Sequence, residues 1–341
     1  MNRPLIAITP GDPDGVGPEI AWKTISARNW PHEQVDLVVI GAREPFDRMG
    51  VAVEETTIAE LAQGARPSAS SGPKVWIIPA PLGPKRRLAK RFSVEGWQSG
   101  WAIETAAFLA KKGVVAALTT GPISKERLQL GGYPYPGHTE FLAKLCRVKH
   151  VTMMLANDQL RVSLVTTHLA LKNVSRALTR ELLRRTILHT ETHLRSWWGI
   201  ARPRIAVAAL NPHAGEAGLF GTEEIRVIGP ELKSLSRRPG LRMTLSGPHP
   251  ADTLFAKHVQ ADVKERNDAV ICMYHDQGLI PVKLLDFPRT VNVTLGLPII
   301  RTSVDHGVGF DIAGTGKADP SSLQSALRLA VRLISNKGSL P

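Results

Sequence analysis

The sequence predicts an α/β protein, and three observations carry the prediction. Apolar, β-rich runs end repeatedly at Gly, Pro or Asp. Helix-spaced apolar stripes lie between them, and several runs are continuously apolar, as strands covered on both faces are. The first run, 5–9, stops at Pro10-Gly11, the second, 35–40, at Gly41 and the third, 75–78, at Pro79. Run 114–119 leads to Gly121, and 151–155 to Asn157-Asp158. Runs 162–167 and 269–274 lead directly into His168 and His275, 205–210 reaches His213 through Asn211-Pro212, and 291–295 ends at Gly296. Helices are expected from about Pro18 and over 97–112, 174–198 and 321–334. The Gly/Ser/Pro-rich stretch 63–73 and the Pro/Gly segment 79–84 read as loops, and no repeat period is visible.

With 341 residues the chain has room for two domains or one large unit. Hydrophobic residues make up 43% and charged ones 21%, which excludes wholesale disorder and a membrane bundle. The apolar run near the N-terminus is broken too early for a secretory signal. Two cysteines, Cys146 and Cys272, suit a reducing cytoplasm and argue against a disulfide scaffold. The net charge is +13, but the basic residues are dispersed apart from Lys85-Arg86-Arg87 and Lys90-Arg91, and aromatics are not interleaved with them. A small anionic substrate accounts for that charge better than nucleic acid does.

The first run enters Pro10-Gly11-Asp12-Pro13-Asp14-Gly15-Val16-Gly17-Pro18-Glu19. Glycines let backbone amides approach a ligand at a helix N-terminus, yet the spacing is neither G-x-G-x-x-G nor a Walker loop. A tight turn without a ligand explains these residues equally well. Gly314-Thr315-Gly316-Lys317 is no Walker loop either, because Asp311 stands five before Gly316. His168, His213 and His275 all follow apolar runs. Strand ends of an open α/β sheet face the ligand crevice, so three imidazoles there point to a divalent-metal site, while each taken alone reads equally as a polar strand-end residue. His189 and His193, four apart on a helix with Glu191 between them, do not form H-E-x-x-H and read as surface or interface residues.

Several motifs together resemble the 4-hydroxythreonine-4-phosphate dehydrogenase family of pyridoxal phosphate biosynthesis. They are Pro10-Gly11-Asp12-Pro13, Gly15-Val16-Gly17-Pro18-Glu19, Gly137-His138-Thr139-Glu140-Phe141, Thr166-Thr167-His168, Asn211-Pro212-His213-Ala214-Gly215-Glu216, Tyr274-His275-Asp276-Gln277-Gly278 and Arg301-Thr302-Ser303-Val304-Asp305-His306-Gly307. The resemblance runs nearly end to end in the same order. It implies an isocitrate/isopropylmalate dehydrogenase-like fold of two α/β/α subdomains with a cleft between them. The subdomains are expected over 1–130 with 300–341, and over 131–299. It also implies a homodimer with the active site at the subunit interface, NAD or NADP, and one divalent metal (Zn, Mg or Co) per site. His168, His213 and His275 are then the metal ligands, with His275 expected from the partner subunit. His138, Thr139, Lys283, Asn292 and Arg301 are the substrate set. Gly11, Asp12, Gly15, Gly17, His306, Gly307, Asp311 and Gly314 are expected at the cofactor.

Three departures from the family stand out: Asp14 in place of a small residue, Val308-Gly309 in place of a Thr-Ala pair, and a longer stretch over 258–267. Retention of His138-Thr139-Glu140 argues against the related dihydrodiol branch, whose substrates carry no phosphate. The implied reaction oxidises 4-(phosphooxy)-L-threonine, and the resulting β-keto acid decarboxylates. Asp276 and Asp252 are the candidates for the base, or for orienting imidazoles; Asp252 equally suits a helix start. Threonate or erythronate 4-phosphate is the alternative substrate, and a non-catalytic basic protein that binds phosphate or nucleic acid is the alternative class.

Overall fold

The computed structural model describes residues 3–27, 34–67, 73–84 and 91–337. Most of the two basic clusters, and part of the 63–73 loop, lie outside the described residues. Twelve strands occur among them: β1 Leu5–Thr9, β2 Asp36–Gly41, β3 Val53–Glu55, β4 Val75–Pro79, β5 Ala117–Thr120, β6 Thr152–Ala156, β7 Arg161–Leu164, β8 Arg204–Ala208, β9 Thr244–His249, β10 Ala269–Cys272, β11 Val291–Leu295 and β12 Ile300–Ser303. The helices are α1 Gly17–Ile25, α2 Glu44–Arg48, α3 Ile58–Ala62, α4 Val94–Lys111, α5 Lys125–Leu130, α6 His138–Cys146, α7 Val174–Ala177, α8 Arg180–Ser196, α9 Gly229–Ser236, α10 Ala251–Gln260, α11 His275–Asp286 and α12 Ser321–Asn336.

The chain divides into two compact units, Met1–His150 with Leu297–Ile334, and Val151–Gly296 with Ser335–Pro341. Helix α6, which carries His138 and Thr139, therefore belongs to the first unit, where the sequence-based division had put it in the second. An aromatic chain is the reason: Phe141 of α6 meets Tyr133 at 5.3 Å, and Tyr133 meets Trp97 of α4 at 5.5 Å.

In the first unit the strand order is β3-β4-β2-β1-β5-β12, and the pairs are parallel. Parallel strands buried on both faces need apolar side chains at every position, and β1 is buried throughout. Parallel pairing also puts the C-terminal ends of β1, β5 and β12 at one edge of the sheet, where the glycine-rich turn and the 304–316 loop emerge.

In the second unit the order is β11-β6-β7-β10-β8-β9. Strand β6 runs antiparallel to both β7 and β11, while β7, β10, β8 and β9 are mutually parallel. One face is covered by α10 and α11, through Leu254, Leu279 and Val282 against Leu155, Val162, Leu164 and Val270. Ser163, pointing the other way on β7, accepts a hydrogen bond from Thr190 Oγ1 of α8 at 2.8 Å.

The helix expected over 174–198 is broken. Leu178 is extended, and Thr179 caps α8 by accepting from Leu182 N at 3.1 Å. The expected reading of His189 and His193 needs correction. His193 is 7% exposed. Its Nδ1 donates to His189 O at 2.7 Å, and its Nε2 accepts from Gly296 N at 3.2 Å. That ring is a structural part of the interior. The stretch 258–267 is held by the buried His258, whose Nε2 donates to Gln159 O at 2.9 Å, and by Arg266, which donates to Val259 O at 3.0 Å at the end of α10.

Candidate active site

Each unit carries several of the candidate side chains near the C-terminal ends of its parallel strands. In the first unit the turn after β1 is folded tightly onto the chain after β5. Gly11 has φ +93°, and a Cβ there would lie 1.9 Å from Pro122 O, so no other residue fits. Arg127 locks the turn by donating to Asp12 Oδ1 at 3.1 Å and Asp14 Oδ2 at 2.8 Å, and its guanidinium lies 4.7 Å from the Phe310 ring centroid. Asp14 thus has a partner. Val16 N donates to Val308 O at 2.8 Å, which joins the turn to the expected cofactor loop.

Glu19 on α1 holds the far end of that loop. Its carboxylate accepts from Gly314 N at 3.2 Å and Ala318 N at 3.1 Å, while Lys23 Nζ donates to Gly316 O and Ala318 O, both at 2.7 Å. Burial works against the Glu19 carboxylate, but the bonds from Lys23 and from the loop amides outweigh it and hold the group below its usual range. Between turn and loop lies a cavity of about 430 Å³, bordered by Gly15, Glu19, Arg48 and Gly314. That volume is in the range of small-molecule sites. Gly11 and Asp12 are occupied with packing and the Arg127 pair. Gly15 and Gly314 face the cavity.

Also in the first unit, Arg301 on β12 is 2% exposed and donates to Thr120 Oγ1 at 2.7 Å. Burial lowers it from 12.5 to about 9, with Glu140 pulling the other way. At neutral pH the guanidinium is still charged, so a cation is buried here, with the exposed carboxylate of Glu140 acting on it. His138 at the start of α6 is pushed well below its usual value by burial and by Arg301, and its Nε2 is buried without a hydrogen-bond partner. A neutral imidazole with an unsatisfied nitrogen beside a buried cation suits an anionic, hydrogen-bonding ligand. Thr139 follows it on the same helix.

In the second unit β10 lies between β7 and β8, so the strand order puts His275 between His168 and His213. The His168 and His275 rings are 5.6 Å apart, centroid to centroid. Asp276 Oδ1 accepts from His275 Nδ1 at 2.6 Å, which leaves the Nε2 lone pair of His275 available to a ligand. His213 sits in an unusual segment: residues 213–217 all have φ between +43° and +81°. A left-handed turn costs non-glycine residues about 1 kcal/mol or more each. Buried Glu224 holds it from behind, accepting from Leu210 N and Asn211 N, both at 2.8 Å, and from Asn211 Nδ2 at 2.9 Å. Gly215 must be glycine because a Cβ would meet Glu224 Oε2 at 2.8 Å.

Among the described residues, no three His, Cys, Asp or Glu side chains of one chain stand close enough to hold a metal ion together. Lys283 lies on α11 with its Nζ 5.3 Å from the Phe287 ring centroid, and Asn292 lies on β11, half-buried. Asp252 is exposed in the first turn of α10 and caps nothing with its side chain. Sequence reasoning did not single out Glu224, Thr166 and Gln277, each of which bonds a backbone group well separated in sequence: Leu210 N, Met273 O and Ala209 O respectively.

The family model of the pyridoxal phosphate biosynthetic protein PdxA matches residues 33–330. The chain belongs to the PdxA family. Among its relatives, the 4-hydroxythreonine-4-phosphate dehydrogenase of Desulfosudis oleivorans is 43% identical, with 100% of this chain and 99% of that protein covered. The enzyme of that name from Ruegeria is 45% identical over 96% of this chain and 95% of its own length. The crystal structure of the Klebsiella pneumoniae 4-hydroxythreonine-4-phosphate dehydrogenase superposes with a TM-score of 0.84 at 37% identity, covering 97% of this chain and 99% of that one. A terephthalate 1,2-cis-dihydrodiol dehydrogenase from Burkholderia xenovorans is more distant, with a TM-score of 0.64 at 29% identity, covering 97% and 98%. As a PdxA-family member the chain is an enzyme of pyridoxal phosphate biosynthesis and an oxidoreductase. No helix among the described residues of this PdxA-family chain is long and apolar enough to cross a membrane.

Proposed function

We propose that the enzyme oxidises 4-(phosphooxy)-L-threonine at its 3-hydroxyl, with NAD or NADP as acceptor and one divalent metal ion per site, to a β-keto acid that loses CO2 to give 3-amino-2-oxopropyl phosphate. The observation that carries the reading is the buried cation Arg301 beside the neutral His138, a pair suited to an anion. Its substrate is the one the relatives are named for.

The nicotinamide cofactor supplies the hydride acceptor, and the cavity bordered by Gly15 and Gly314 is the part of this chain suited to hold it. The metal ion supplies charge stabilisation at the hydroxyl oxygen being oxidised. His168, His213 and His275 are its proposed ligands; neutral imidazole suits Zn, Co and similar ions. One chain lacks a three-ligand group among its described residues, so the centre is proposed to form between two chains, with His275 coming from the partner.

The chain's own residues bind, orient and move protons. Arg301 and Lys283 take the phosphate and carboxylate by charge-assisted hydrogen bonds, Arg301 in bidentate fashion. Thr139 and Asn292 add neutral hydrogen bonds. His138 Nε2, held uncharged, contacts the substrate without repelling its anion neighbours. Asp276 fixes the His275 ring, and Asp252 is the remaining carboxylate for proton removal. His306, Gly307 and Asp311, with Gly11, Asp12 and Gly17, shape and support the cofactor loop and turn.

The homodimer has a ready surface. Ile280, Leu284 and Phe287 form an exposed apolar stripe on the outer side of α11, with Leu284 84% exposed. Leu171, Leu219 and Phe220 of the same unit are exposed as well. The two free, buried cysteines fit a cytoplasmic enzyme.

The test is NADH or NADPH formation with 4-(phosphooxy)-L-threonine, threonate 4-phosphate and erythronate 4-phosphate, each with and without chelator. The expected result is chelator-sensitive turnover of the first substrate. Preferential turnover of either acid would replace the substrate assignment, and no turnover of any would overturn the reading.

A further inference from the structure

We propose that Gln277 is the positioning residue that ties together the strand ends carrying the three candidate metal ligands; the inference rests on the metal centre proposed above. Gln277 is 9% exposed, and both ends of its amide are used. Its Oε1 accepts from Met273 N at 2.6 Å, two residues before His275. Its Nε2 donates to Ala209 O at 2.6 Å, four residues before His213. Because one partner is a backbone donor and the other a backbone acceptor, the orientation of the amide is fixed.

The chain of bonds continues on both sides. Met273 O accepts from Thr166 Oγ1 at 2.7 Å, two residues before His168. Ala209 N donates to His249 O at 2.8 Å, just ahead of the Pro250-Ala251-Asp252 turn. Gln277 thereby bridges β10 and β8 at the end of the ladder, where the last backbone bonds, Thr166 N to Met273 O at 3.2 Å and Ala209 N to His249 O, continue the connection to β7 and β9.

The competing explanation is a helix cap. A glutamine at the third position of α11 that reaches back to a backbone N–H ahead of the helix is a capping contact. A cap accounts for the Met273 bond and not for the Ala209 bond, which reaches 68 residues away in sequence. It also predicts a different outcome. Loss of a cap lowers stability and leaves the ligand geometry of the folded protein alone, whereas loss of a clasp loosens the segments by which one chain offers His168 and His213 to one proposed centre and His275 to the other. Supports of metal ligands typically change metal affinity by about 10- to 100-fold.

The experiment uses full-length, metal-free dialysed protein and Co(II) as the probe. Binding is followed by calorimetric titration and by visible absorption, well below the melting temperature of each variant. Gln277→Met removes both hydrogen bonds at similar volume. Gln277→Glu keeps an acceptor for Met273 N and sets an oxygen against Ala209 O. Both variants are expected to bind Co(II) about 10- to 100-fold more weakly than the wild type. Activity lost at limiting metal is expected to return at high Co(II).

Wild-type affinity in the folded variants would overturn the role of Gln277 and leave the metal centre standing. Failure of the wild-type protein itself to bind Co(II) would overturn both. If neither Gln277 variant folds, Thr166→Val, which deletes one hydroxyl from the same chain of bonds, takes their place. Several-fold weaker Co(II) binding is then expected, and unchanged binding overturns the proposal.

Discussion

Replacing Arg301 with methionine separates recognition from stability. The guanidinium is 2% exposed and burial pulls it from 12.5 to about 9, which corresponds to on the order of 5 kcal/mol of unfavourable charge burial in the ligand-free enzyme. The carboxylate of Glu140, which acts on it, is exposed and is not stranded in the interior when the cation goes. An apolar side chain of similar length should therefore leave the melting temperature unchanged or raise it. Substrate binding should behave in the opposite way. A charge-assisted contact to phosphate in a desolvated site is worth about 1.5 to 3 kcal/mol, so kcat/KM should fall by about 10- to 150-fold. His138 supplies an internal check. Its pKa is held down by burial first and by Arg301 second, so in Arg301→Met it should rise while staying below its usual value. The assays are steady-state kinetics with the phosphorylated substrate, thermal melts, and NMR titration of the His138 ring. Unchanged kcat/KM in a stable variant would refute the reasoning, because a buried cation that contacts no substrate has no such effect.

If the metal centre takes His168 from one chain and His275 from the other, His168→Ala and His275→Ala should each be inactive alone. Co-expressed in equal amounts they should regain about a quarter of wild-type activity, since half the dimers are mixed and each has one intact site. No recovery would mean that both ligands come from one chain, as their 5.6 Å ring separation within the chain also permits. Leu284→Asp, in the middle of the exposed α11 stripe, should weaken the dimer by about 100-fold or more in sedimentation experiments, and activity should fall with it. A variant that stays dimeric would move the interface elsewhere. Glu19 has its pKa lowered in the folded state, so its stabilising effect is present above about pH 4.5 and is lost as pH falls through the folded value. The melting-temperature gap between wild type and Glu19→Gln should accordingly narrow on acidification below that point, and a gap constant with pH would count against the clamp on the cofactor loop.

The core strands were legible because parallel strands buried on both faces need unbroken apolar runs; β1 and β11 lie where the sequence puts them. Strand β9 was not. Its Thr244–His249 segment is only half covered and contains Gly and Pro, so it carries no apolar run. The break before α8 was written in Thr179 as a cap, but the apolar spacing on both sides concealed it. The three histidine segments were identifiable as strand ends, and the motifs there carried the family. Which of their neighbours matter was not identifiable. His193 looks like a surface histidine until α8 turns it inward, and Gln277 looks like a helix cap until the parallel pairing of β10 with β8 brings Ala209 within reach. Residue types and periodicity are local properties, and they determined the elements and the chemistry on offer. Burial and long-range hydrogen bonding exist only once strands far apart in sequence lie side by side. Tertiary structure therefore decided that Arg301 is a buried cation, that His138 is neutral, and that an unassuming glutamine joins the loops of the site.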